Sequence, residues 1–149
     1  MPIEKSAGAI VFRKKGNEIF YLLLQYEAGH WGFPRGLIEK GETLEETAKR
    51  EIEEETGIKN LKFLPGFKET IKYFFKWRGK NILKFVTYLL AQTKEKRVSL
   101  SFEHKDFEWL PYKEALEKLT FENSKEVLKK AHQFLKQKNF QNSKRSLVK

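Results

Sequence analysis

The sequence contains no cysteine and only three histidines, His30, His104 and His132. The first absence excludes a disulfide framework, a thiolate metal centre and a cysteine nucleophile, and the second leaves little from which to build a histidine-based zinc site. Long hydrophobic runs are missing too. The most extended, Ile19–Leu24 and Val86–Ala91, fall far short of the ~20 residues that a membrane-spanning helix needs. The apolar stretch Ala7–Phe12 stops at Arg13, Lys14 and Lys15, which is not the layout of a secretory signal. The expectation is a cytoplasmic protein with no membrane partner.

What is present is apolar and basic. A chain of 149 residues, 40% hydrophobic and 14% aromatic with 13 Phe, has the material for one packed core and excludes a disordered chain. The formal charge of +10 points to a polyanionic partner, nucleic acid, nucleotide phosphates or an acidic membrane surface, among which composition alone does not choose. That charge is unevenly spread. Eight glutamates lie between positions 39 and 55 against Lys40, Lys49 and Arg50, a net −5, so the rest of the chain carries +15. A short acidic island inside a basic protein suggests a cation site facing a surface that holds an anion.

The spacing predicts an α+β order of elements, with helices packed on a mixed sheet. Residues 6–14 and 18–26 read as two strands around a Lys15-Gly16-Asn17 turn, and 69–77 and 82–92 as a second hairpin. The glycine-rich stretch 28–42 reads as an ordered loop. A helix is predicted over 44–56, from the capping box Thr43/Glu46, apolar Leu44, Ala48 and Ile52 at spacing four, and a C-terminal Gly57. A short strand over 107–110, helices over 112–118 and 122–138, and a polar, basic, flexible tail over 139–149 complete the chain. Residues 1–138 are thus expected to form a single domain.

The predicted acidic helix places its charges unequally. At ~100° per residue, Glu55 falls inside the sector of Leu44, Ala48 and Ile52, Glu51 on its edge, and Glu54 further out on the same flank. Glu45, Glu46 and Glu53 project elsewhere and suit solvent. An inward carboxylate is costly unless paired or metal-bound, and three carboxylates at i, i+3 and i+4 repel one another. A divalent cation resolves both problems. Oxygen-only ligation favours Mg²⁺, with Mn²⁺ as a substitute, over Zn²⁺.

The stretch GLIEKGETLEETAKREIEEETGI, residues 36–58, resembles the Nudix box, G-x5-E-x7-R-E-U-x-E-E-x-G-U with U apolar. It meets all nine defined positions: Gly36, Glu42, Arg50, Glu51, Ile52, Glu54, Glu55, Gly57 and Ile58. The resemblance implies a Nudix-type α/β/α sandwich and Mg²⁺-dependent hydrolysis of a nucleoside diphosphate linked to another moiety. It implies that Glu51, Glu54 and Glu55 bind metal and supply the base, that the Gly36 carbonyl adds a ligand, that Arg50 orients a glutamate, and that Glu42 supports the loop.

Outside the box, SAGAIVF (6–12), HWGFPRG (30–36), KFVTYLLA (84–91), FEHKDFEWL (102–110) and EALEKLTFENSKEVLKKAHQFL (114–135) resemble, in order and spacing, the asymmetrically cleaving diadenosine tetraphosphate hydrolases of that family. This implies a substrate cut to ATP and AMP, with one adenine held between two rings at Tyr88 and Phe134. On the residues alone, a strand tyrosine and a phenylalanine on an apolar helix face read as core. Tyr73 matches a tyrosine frequent in members acting on dinucleoside polyphosphates, and hairpin packing explains it equally well. Glu103 matches a further metal ligand or base, with an ordinary loop glutamate as the alternative. His104 is expected to position phosphate or to cap its loop, Arg35 and Lys84 to meet the polyphosphate, and His132 to be structural. Leu37 departs from the family, whose members often carry a polar residue there.

Two other readings stand beside this one. Some Nudix RNA pyrophosphohydrolases share a segment like Trp31–Gly36, which keeps 5′-triphosphorylated RNA as an alternative substrate, beside a broad-specificity nucleoside di- and triphosphate pyrophosphatase activity. A catalytically silent nucleic-acid-binding module would use the basic surface, but every acidic position of the box is retained.

Overall fold

The computed structural model describes the backbone of residues 1–148 and the side chains of residues 1–138. The expectation of a flexible tail over 139–149 lies outside those described side chains.

β1 (Ile3–Lys15) and β2 (Glu18–Tyr26) form the first hairpin, in register from Phe12↔Tyr21 to Lys15↔Glu18. β1 starts earlier than its sequence pattern suggests because Ile3–Phe12 run parallel to a distant strand, residues 83–92. The glycine-rich stretch, expected to be irregular, holds two very short strands, β3 (Trp31–Gly32) and β4 (Arg35–Leu37). β3 pairs with the end of β2 and β4 with Ser6–Gly8 of β1, so the two fill the gap where β1 and β2 part. Strands of two and three residues exist only because both neighbours supply partners, and no local pattern encodes that.

α1 (Leu44–Thr56) follows, with the predicted boundaries. Thr43 Oγ1 accepts from the Glu46 amide while the Glu46 carboxylate accepts from the Thr43 amide, and Gly57 closes the helix at φ 77°. β5 (Lys62–Phe63) is a short addition that sequence reasoning missed. β6 (Glu69–Trp77) and β7 (Lys80–Gln92) make the second hairpin, around a two-residue turn with Arg78 at φ 50° and Gly79 at φ 76°. That tight turn extends β7 two residues beyond the predicted start. β8 (His104–Pro111), longer than expected, lies antiparallel to β2 with a bulge at Gln25/Tyr26. α2 (Tyr112–Lys118) and α3 (Glu122–Val148) complete the chain.

The eight strands form one mixed sheet in which β1 and β7 are parallel neighbours. Side chains alternate across it with period two. Ala9, Val11, Leu22 and Leu24 pack with Ile52 of α1 on one face, while Ile10, Phe12, Tyr21 and Leu23 pack with Val127, Leu128 and Ala131 of α3 on the other. This is the expected sandwich of helices around a mixed sheet. His132 belongs to the second layer: its Nδ1 pairs with Tyr21 Oη at 2.7 Å and its ring stacks on Tyr112 at 3.8 Å. Among the described residues no helix is long and apolar enough to cross a membrane.

Candidate active site

Ala48 and Ile52 are fully buried against the sheet and fix the rotation of α1. One turn on, Glu55 is drawn to the same side and is 3% exposed. The side chain of Glu51 is 16% exposed and that of Glu54 60%, the order the helical spacing predicts. Glu103 reaches this cluster from another part of the chain. The Ser99 and Ser101 amides donate to the Thr56 and Glu55 carbonyls at 2.8 and 3.1 Å, carbonyls that the end of α1 leaves without helical partners. That docking brings Ser101, Phe102 and Glu103 to the rim of a cavity of about 540 Å³ also lined by Gly36, Glu51, Glu54 and Glu55.

Arg50 organises the helix side of this cavity. Its guanidinium donates to both oxygens of Glu42 at 2.8 and 2.9 Å, to Glu51 Oε1 at 2.8 Å and to the Leu37 carbonyl at 3.0 Å. Glu42 also accepts from the Glu39 amide and Thr47 Oγ1, so it staples the loop to the helix start. The Arg50 hydrogen bonds, with help from the Glu39 amide, hold its carboxyl down at about 2. The Glu51 carboxylate lies over Gly36, where an added Cβ would come within 2.0–2.3 Å of its atoms. Only glycine permits that approach. Leu37, half exposed, turns its carbonyl to Arg50 and its side chain to the cavity rim.

Glu55 is the most perturbed acid. Burial, and then the charges of Glu51 and Glu103, push its carboxyl up to about 9. Its Oε2 is buried without a hydrogen-bond partner, and its Oε1 lies 3.4 Å from His104 Nε2. His104 sits behind it, buried. Its Nδ1 meets Ser101 Oγ at 3.1 Å and its amide donates to the Ser101 carbonyl, so it caps the loop, and burial pushes its ring pKa down. Glu51 is also raised by burial, opposed by Arg50.

Among the described residues no three acidic or imidazole side chains already converge as a closed cation shell. The donor set nevertheless fits a divalent cation. Five carboxylates, Glu39, Glu51, Glu54, Glu55 and Glu103, line one cavity, a buried carboxylate oxygen lacks a partner, and the bare Gly36 backbone lies beside Glu51. Hard oxygen donors of this kind suit Mg²⁺ or Mn²⁺.

A second cavity, of about 470 Å³, adjoins the first and shares Arg35 with it. It is lined by Tyr26, Phe33, Tyr73, Tyr88 and Phe121 among others. Arg35 Nη1 donates to Tyr73 Oη at 2.8 Å, and its guanidinium lies 5.8 and 6.0 Å from the Tyr73 and Tyr26 ring centres. Tyr88 is 2% exposed, with Phe33 edge-on at 5.5 Å.

Two predicted binding residues lie elsewhere. Phe134 lines neither cavity: its ring packs edge-on against Phe67 at 5.7 Å and beside Gly66, so it does not face Tyr88. The helical spacing of an apolar face cannot say which strand or loop that face meets. Lys84, four residues from Tyr88, turns its ammonium to Glu4 at 3.6 Å and also lines neither cavity. Conversely, sequence reasoning overlooked Tyr26, His30 and Phe121. Tyr26 stacks on His30 at 4.6 Å, meets His104 edge-on at 4.6 Å, and donates its hydroxyl to the Phe33 carbonyl. Burial pushes the Tyr26 hydroxyl well above its ordinary range. Phe121, half exposed, borders the mouth 5.2 Å from His30. His30 stands in the HWGFPRG segment, which was the available signal; Tyr26 owes its place to a bulge that only strand pairing reveals.

Comparison with known proteins agrees with this architecture. The profile of the Nudix domain matches residues 2–131. The chain is 36% identical over 143 residues to the bis(5′-nucleosyl)-tetraphosphatase [asymmetrical] of Mus musculus, a match spanning 88% of this chain and 95% of that one. The RNA pyrophosphohydrolase of a Sulfurovum strain is 33% identical over 118 residues, 72% of this chain and 74% of its own. The crystal structure of a C. elegans Ap4A hydrolase binary complex superposes with a TM-score of 0.77 at 32% identity, over 89% of this chain and 97% of that one. With the box on α1, the sandwich around it and relatives that span nearly its whole length, the chain belongs to the Nudix family.

Proposed function

We propose that this protein hydrolyses diadenosine tetraphosphate asymmetrically, to ATP and AMP, with Mg²⁺ as cofactor and Mn²⁺ able to replace it. The observation that carries the reading is the pair of adjoining cavities, one acidic and one aromatic, joined at Arg35. The similarity to asymmetrical tetraphosphatases supports the substrate. On this reading residues 1–138 form the working domain.

The Gly36 carbonyl, Glu51, Glu54, Glu55 and Glu103 are the groups that would hold the metal, which when bound offsets the charge of phosphate oxygens and makes water more acidic. Arg50 keeps Glu51 turned to the cavity, and Glu42 keeps Arg50 in place. Arg35, at the junction, donates to phosphate oxygens through charge-assisted hydrogen bonds, and Tyr73 holds its guanidinium. The aromatic cavity, whose lining includes Tyr26, Tyr73, Tyr88 and Phe121, takes a nucleoside; an aromatic stacking partner contributes ~1–3 kcal/mol per base and hardly depends on which base it is. In the chemical step water adds to a phosphorus away from the chain centre, the anhydride P–O bond breaks, and the leaving phosphate takes the electron pair. The water's proton passes to a carboxylate of the cluster, where Glu103, exposed at the rim, has access to solvent.

Product analysis in ¹⁸O-labelled water tests the reading. ATP and AMP are expected, with the label in one product only, and two molecules of ADP would overturn it. The similarity to RNA pyrophosphohydrolases favours one second reading, removal of pyrophosphate from 5′-triphosphorylated RNA. Comparing kcat/KM on the two substrates decides between them.

A further inference from the structure

The acidic island of α1 has a counterpart that the proposed hydrolysis does not use. Residues 68–84, the β6–β7 hairpin with its lead-in, carry Lys68, Lys72, Lys76, Arg78, Lys80 and Lys84 against Glu69 alone, a net +5. Glu69 and Lys84 have ion-pair partners in Lys130 and Glu4, and the other five cations are exposed.

The aromatic residues of β6 are ordered with respect to the cavity. Ile71 and Tyr73 line it. Alternation along the strand puts Phe75 and Trp77 on the same face, with the Tyr73 and Phe75 rings 6.3 Å apart. Tyr73, Phe75 and Trp77 stand opposite Lys84, Ile82 and Lys80 on β7. At the tip, the Arg78 guanidinium lies 4.4 Å over the Trp77 ring, which is 55% exposed. A row of rings flanked by cations thus leads from the nucleotide cavity to the hairpin turn, over about 13 Å at the usual rise of a strand.

We propose that this row is a docking surface for single-stranded nucleic acid, whose bases stack on Trp77 and Phe75 while its phosphates meet Lys80 and Arg78. Lysines on an edge strand serve by themselves to keep sheets apart, but an exposed tryptophan works against that purpose and needs a partner. A second copy of the chain would bring +5 against +5. Rings interleaved with cations match a ligand that alternates π-faces with phosphates, the arrangement by which sequence-tolerant single-strand binders work. This inference goes beyond the proposed hydrolysis and does not depend on which anhydride is cut.

Fluorescence anisotropy with a 12-nucleotide single-stranded RNA bearing a 5′-hydroxyl tests it, since that probe has no phosphoanhydride to hydrolyse. Binding is expected to weaken at least about five-fold in Trp77→Ala and to be largely retained in Trp77→Phe. The double variant Arg78→Ala/Lys80→Ala should reduce the slope of log affinity against log salt by about 1.4, roughly 0.7 for each cation. The same variants should hydrolyse diadenosine tetraphosphate as the wild type does, which shows that they fold. Single-stranded DNA bound with the same Trp77 dependence supports the general class, and RNA alone narrows it. Equal RNA affinity in wild type and variants overturns the proposal. So does duplex RNA bound as tightly as the single strand, or Trp77-dependent binding to phosphatidylserine vesicles without RNA binding.

Discussion

Arg35 and Tyr73 are 38 positions apart in sequence and 2.8 Å apart in space, and their hydrogen bond stands where the acidic and aromatic cavities meet. Arg35 sits on the short strand β4 and Tyr73 on β6, on opposite sides of the central pair β1 and β7. The bond holds a largely desolvated guanidinium toward the place where a phosphate chain would pass from one cavity to the other.

Tyr73→Phe keeps the ring and removes the hydroxyl, so Arg35 loses a fixed partner while the cavity keeps its shape. A hydrogen bond to a charged group contributes about 1.5 kcal/mol or more, and KM for diadenosine tetraphosphate should rise roughly ten-fold with a smaller change in kcat. Steady-state kinetics on the purified variant checks this, and an unchanged KM would return Tyr73 to a packing role.

Glu55 gives a stability prediction with a definite sign. Its folded carboxyl titrates at about 9 against an ordinary 4.5, so between those values the unfolded chain ionises while the folded chain keeps the proton. In metal-free buffer this group therefore lowers stability as pH rises from about 5 toward 9. Glu55→Gln, a near-isostere of the neutral acid, should flatten that component of the Tm profile. It should also remove most of the Tm increase that Mg²⁺ gives the wild type and lower kcat on the order of 10–100-fold or more. A variant that kept wild-type kcat and the Mg²⁺ shift would separate Glu55 from the metal.

Gly36→Ala would put a methyl group into the space of the Glu51 carboxylate. Backbone pairing of Gly36 with Ala7 anchors the strand, so the carboxylate is expected to move. A displacement of about 1 Å at a reacting centre costs on the order of a hundred-fold in rate. Circular dichroism should be unchanged while kcat falls.

Phe134→Ala distinguishes a base clamp from a packing ring. Because Phe134 lies against Phe67 and outside the nucleotide cavity, its loss should leave KM within about two-fold. Denaturant unfolding should register the lost edge-to-face pair, ~0.5–1.5 kcal/mol beyond area burial. Tyr88→Ala, by contrast, removes a nearly fully buried ring that also lines the nucleotide cavity, so KM should rise while denaturant unfolding registers a loss of about 3–5 kcal/mol.

The sequence by itself determined α1 and what it carries. Thr43, Glu46 and Gly57 fix its ends through hydrogen bonds within a few residues, and Ala48 and Ile52 fix its rotation, which makes Glu55 inward and Glu54 outward before any fold is known. Both hairpins were legible for the same reason, since turn residues and alternation act locally. Only the tertiary structure decided the short strands β3 and β4, the turn of Tyr26 into the cavity, the pairing of Arg35 with Tyr73, the docking of Glu103 against the end of α1, and the choice of Phe67 rather than Tyr88 as the neighbour of Phe134. Each of these joins segments far apart in the chain. Local periodicity says which face of an element is buried, whereas the partner of that face is set by how the sheet and its helices pack as a whole.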